Sequence, residues 1–114
     1  MRGVNEKIVS SVWGTLSSIC ESPRIAGFKV GITHDPRSRF RTFRRFGYEC
    51  FAILAHELLL EDVLDLERAI FDRVQKDKRS TVYKKDARKD VSYRPSSGGK
   101  RVRGPKYSFY VAWW

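Results

Sequence analysis

Apolar residues recur at helical spacing near the start of the chain, where Val4, Ile8, Val12, Leu16 and Ile19 predict an amphipathic helix over residues 4–20. Gly14 and the β-branched content keep a strand around SSVWGTLSSIC as the alternative. ESPRIAG, with Pro23 and Gly27, breaks the pattern as a turn or loop. FKVGIT (28–33) reads as a short strand. Asp35-Pro36 then starts a helix, because the aspartate caps orphan N–H groups and proline fits the first helical position. That helix is expected to run to Phe46 and stop at Gly47. YECFAILAHEL (48–58) is a mostly apolar strand, LEDVLDLERAIFDRVQK (60–76) a helix, and YSFYVAWW (107–114) a last, aromatic strand. The order is helix or strand, strand, helix, strand, helix, a polar loop and a final strand, with no internal repeat.

Two polar residues fall on apolar faces. With Val63 at zero on a helical wheel, Leu60, Leu64, Leu66, Ile70, Phe71 and Val74 fill one arc, and Glu67 lies inside it at about 40°. In the preceding helix Phe40, Phe43 and Phe46 define the expected buried side, and Arg39 falls between the last two. Arg37, Arg41, Arg44 and Arg45 cluster on the other side. A carboxylate on an apolar face needs a cation, a metal or a set of donors, since leaving it unpaired is costly. A buried ion pair between Arg39 and Glu67 is one solution. The other is a shared cleft, in which Glu67 holds a divalent cation and Arg39 a scissile phosphate.

The net charge of +10 sharpens this picture through its location. Residues 76–106 carry twelve Lys/Arg against Asp77, Asp86 and Asp90, a net +9, with Tyr83 and Tyr93 interleaved. Such a segment suits a loop that tracks a polyphosphate backbone; a solubilising charged loop is the plainer explanation. With 41% hydrophobic residues the chain is a folded protein of one small domain. Cys20 and Cys50 have neither disulfide-framework nor metal-ligand spacing, and His56 in its apolar strand reads as a structural histidine. Glu6 and Lys7 interrupt any signal-peptide core, and no stretch is long enough for a membrane span. The protein is therefore expected inside the cell, in the cytoplasm, nucleoid or nucleus, with no membrane partner.

The motif KVGITHDPRSRF, a strand with glycine and threonine followed by an Asp-Pro turn and an arginine, resembles the second half of the GIY-YIG nuclease signature. It is closest to the phage and mobile-element branch that reads YKIGIT-x-D-P-x-x-R. DLERAIF is similar to the family's helix bearing an essential glutamate, so the likeness covers roughly residues 28–75. The resemblance implies an α+β fold, a small three-stranded antiparallel sheet flanked by helices. The whole chain, 1–114, would be one such domain with a basic loop or insertion at 76–106. It further implies an endonuclease that cleaves phosphodiester bonds with Mg²⁺ or Mn²⁺. Glu67 would be the metal ligand, Arg39 would neutralise the phosphate, and Gly31 would allow close backbone approach.

The chain departs from the family in its tyrosines and asparagine. The family's first motif strand supplies a tyrosine, yet none precedes Tyr48, and the second signature tyrosine falls at Phe28 or Lys29. The asparagine that follows the glutamate helix in the family is missing, since Asn5 is the only one here. His34 and Tyr48 are candidates for the base, with Tyr107 and Tyr110 as further phenols for which core packing is the simpler role. Lys29, Arg37, Arg41, Arg44, Arg45, Lys84, Lys85, Arg101 and Arg103 are the candidate contacts to nucleic acid, DNA favoured over RNA. The alternative function is a catalytically degenerate fold of this type that only binds nucleic acid.

Overall fold

The computed structural model describes residues 6–88, 92–93 and 101–114. Residues 89–91 and 94–100 of the basic segment, and residues 4–5 of the expected first helix, lie outside them. The fold is α+β: helix α1 (Glu6–Cys20), strand β1 (Phe28–Thr33), helix α2 (Pro36–Arg45), strand β2 (Cys50–Leu58), helices α3 (Leu60–Lys76) and α4 (Thr81–Lys85), and strand β3 (Tyr107–Trp113). Among the described residues, three strands form one antiparallel sheet in the order β1-β3-β2. The last strand in sequence is thus the central one. Elements α1 and α3 cover one face of the sheet, and α2 lies on the other.

Helix wins over strand at α1 because Val9, Val12, Leu16 and Cys20 bury one stripe while Gly14 faces open space. At such a site glycine costs the helix only about 1 kcal/mol. Helix α2 starts as its cap predicts: Pro36 opens it, and the Asp35 carboxylate accepts from the Ser38 N–H at 3.2 Å. It ends before Gly47, whose φ of +90° suits a residue without Cβ. The larger core joins Val63, Leu66, Ile70 and Val74 of α3 to Phe28 and Ile32 of β1 and to Tyr107, Phe109 and Val111 of β3. Strand β3 is buried from Tyr107 to Ala112 without alternation, as a central strand covered on both faces must be.

Four expectations are corrected. Phe46 does not join the buried side of α2; it is 75% exposed, because the helix ends one residue earlier and Phe43 alone reaches the smaller core fully. His56 is not a core histidine, its side chain being 69% exposed, since register shifts between Ile53 and Leu58 and a positive φ at Glu57 turn both residues outward. The basic segment does not begin as a loop. Ser80 caps α4 by accepting from the Tyr83 N–H, and Val82 enters the main core. The Lys85 ammonium, read as a phosphate contact, donates to the carbonyls of Cys20 and Ser22 at 2.7 and 2.8 Å and so closes the C-terminus of α1.

Burial pushes the Cys20 thiol from 9.0 up to about 11, opposed by the Lys85 charge. A raised acid pKa means stability that is complete below the unfolded value and is lost as pH rises through the folded one. Urea unfolding at pH 10.5 should therefore give a free energy about 2 kcal/mol below that at pH 8, and Cys20→Ala should remove this part of the difference.

Candidate functional site

The sheet face that carries α2 presents Lys29, Gly31 and Thr33 of β1 beside Ser108, Tyr110 and Ala112 of β3, as strand pairing and alternation require. Gly31 stands opposite Tyr110, and the phenol lies across it. A Cβ on Gly31 would come within 2.7 Å of Tyr110 Cζ and closer still to the hydroxyl oxygen. The ring cannot swing away easily: it stacks on Phe51 at 5.0 Å and packs against Phe43 at 5.5 Å, and Tyr110 is 4% exposed. Glycine here is thus the condition for the phenol to reach over the edge strand.

Four polar side chains bear electrostatically on that phenol. Burial is the chief cause that raises the Tyr110 pKa, with Arg39 opposing it, Glu67 and Tyr48 raising it, and Arg88 lowering it. The hydroxyl is accordingly neutral at physiological pH, able both to donate and to accept. Glu67 is 4% exposed on α3 and accepts from the Tyr93 O–H at 3.3 Å. Burial, then Glu67, pushes the Tyr93 phenol up to about 12. A cavity of about 30 Å³ beside Glu67, lined by Val30, Ile70, Asp86, Arg88 and Tyr93 among others, has room for a water. Arg39 is half-buried and makes no ion pair with a described residue, so the simple Arg39–Glu67 pair is not formed.

Arg39, Glu67 and Tyr48 thus all bear on the Tyr110 phenol through their electrostatics, and Tyr48 packs on Phe43 and edge-on to Trp114. His34 is placed differently: its imidazole meets Tyr107 edge-on at 6.0 Å, on the opposite side of the sheet from Tyr110. Tyr107 is wholly core, its hydroxyl accepting from the Val102 N–H. Arg37, Arg41, Arg44 and Arg45 are exposed along α2, with the Arg44 guanidinium 5.6 Å from the Phe40 ring centre. Lys29 lies over the Phe43 ring, and Lys84, Arg101 and Arg103 are exposed. Sequence reasoning missed Arg88 and Tyr93, which sit in the polar segment without periodicity, and gave Tyr110 a packing role. The signal for Tyr110 was Gly31 itself, a strand glycine that leaves room for a neighbour.

The site offers two buried carboxylates, Glu67 and Asp86, with phenolic oxygens and a guanidinium. Among the described residues no three His, Cys, Asp or Glu side chains group to form a protein-only metal cage. A single carboxylate fits Mg²⁺ or Mn²⁺, which fill their remaining positions with water and substrate phosphate. Comparison with protein-family models, curated proteins and solved structures gives no match. No helix of the described residues is long and apolar enough to cross a membrane.

Proposed function

We propose that the protein is a divalent-metal-dependent endonuclease of GIY-YIG type, acting on nucleic acid and preferentially on DNA. The observation that carries this reading is the Tyr110 phenol laid over Gly31 and packed against α2, the helix that carries Arg39. The tyrosine that the family draws from its first motif strand comes here from the last strand, which pairs with the glycine strand at the sheet centre. A module that only bound phosphates would gain nothing from a buried carboxylate beside its arginine, since that charge repels the ligand. Glu67 would hold a divalent cation, whose charge would offset that repulsion.

When bound, the cation supplies Lewis acidity at the phosphoryl oxygen. Arg39 places a fixed positive charge where the transition state gathers negative charge. Tyr110, neutral and rigid, holds the attacking water by its oxygen, and Tyr48 extends the phenol pair. The exposed arginines of α2 orient the backbone without reading bases.

Supercoiled plasmid at low salt decides the matter. Nicking is expected with Mg²⁺ or Mn²⁺ and not with EDTA, and Arg39→Ala or Tyr110→Phe should each slow it by about 10²–10³-fold with melting temperatures near wild type. A gel shift without cleavage, indifferent to EDTA, would mean that the fold serves as a binding module.

A further inference from the structure

We infer that Phe46 is a stacking platform for an unpaired base, so that the protein favours single-stranded or locally opened nucleic acid over continuous duplex. The inference rests on the nucleic-acid part of the reading above, not on its catalysis, and goes beyond it by naming the class of substrate.

Among the described residues Phe46 is the most exposed large hydrophobic side chain, at 75% against 39% for Ile53 and for Leu59. The two other phenylalanines of this stretch are used elsewhere: Phe40 stacks on Phe51 at 5.4 Å, and Phe43 packs on Tyr48 and Tyr110. Yet Phe46 does not sit on a loose end. Its N–H donates to the Phe43 carbonyl at 3.0 Å, and those of Gly47 and Tyr48 donate to the Arg44 and Phe43 carbonyls at 3.2 and 3.1 Å. The turn that ends α2 thus holds the backbone on both sides of the ring, and a side chain with two torsions loses little freedom on binding. The surroundings select the occupant. Arg44 and Arg45 immediately precede Phe46, Arg37 and Arg41 share its helix, and all four are exposed. No acidic residue occurs from Pro36 to Tyr48. Such a patch repels a second copy of this basic chain and attracts a polyanion. Nucleic acid combines phosphate charge with a flat apolar face at every base, and base–aromatic stacking beside cationic side chains is how proteins hold single strands. In a continuous duplex the neighbouring base pairs cover those faces, and the ring has nothing to stack on.

Fluorescence anisotropy on the full chain tests this in EDTA, where no metal-dependent cleavage intervenes. The probes are a labelled DNA single strand, the matching duplex, and the same duplex carrying a mismatched bubble. Phe46→Ala is expected to weaken binding to the single strand and the bubble about tenfold, to leave duplex binding within about twofold, and to keep the wild-type melting temperature. Phe46→Trp, which keeps a stacking face, should retain the single-strand affinity. Unchanged single-strand affinity in Phe46→Ala would overturn the inference and leave the nuclease reading standing. An equal loss on all three probes would overturn it too, showing an effect not routed through an unpaired base. A smaller mass in solution for Phe46→Ala than for wild type would also overturn it, making the ring a contact between copies. Wild-type protein that bound none of the three would overturn the nucleic-acid reading itself, and this inference with it.

Discussion

Glu67→Gln is expected to lower metal-dependent nicking by at least about 10³-fold while leaving the fold intact. That loss corresponds to about 4 kcal/mol of transition-state stabilisation, the share assigned to a carboxylate that holds the cation. Glutamine has the same shape, and its carbonyl oxygen can still accept from the Tyr93 hydroxyl, so packing against Phe28 and Ile70 is retained. Because the removed charge repels phosphate, DNA affinity measured in EDTA should stay equal or rise. The decisive pair is therefore a nicking rate and a gel shift on the same preparation. A nicking rate within tenfold of wild type would rule Glu67 out as the ligand.

Gly31→Val is expected to destabilise the fold by about 1–3 kcal/mol and to reduce nicking below detection. The cost arises because the new side chain meets the end of a ring pinned between Phe51 and Phe43, not a mobile chain end. Tyr110 must then leave the position over β1. Urea unfolding checks the first half. Adding Tyr110→Ala to Gly31→Val should cost little beyond Tyr110→Ala alone, a non-additivity expected only of groups in contact. Wild-type stability in Gly31→Val would show that the phenol is not held across the strand.

Much of this molecule was legible in local chemistry. The Asp35-Pro36 cap and the full extent of α3 follow from interactions within a few residues and appear where expected, while α2 ends at Arg45, one residue short of the expected Phe46. Glu67 stood out because a helix imposes one face on every residue, so a carboxylate at a core angle is visible before any partner is known. The errors share a cause. Phe46, His56 and Lys85 were assigned by pattern, but their fates depend on where α2 ends over the sheet, on bulges in β2, and on α1 carbonyls distant in the chain. Short α4 was hidden because a single buried valine among lysines gives no period to read.

The sequence by itself determined α2 and α3, the Asp35 cap and the anomalous Glu67 and Arg39, because those features arise from spacing along one element. Only the tertiary structure decided which tyrosine completes the site. Strand pairing is a contact between residues far apart in sequence, and nothing local says that Tyr110 faces Gly31. The central place of the last strand made that choice, by laying an aromatic ring over the one position on the edge strand that has no side chain.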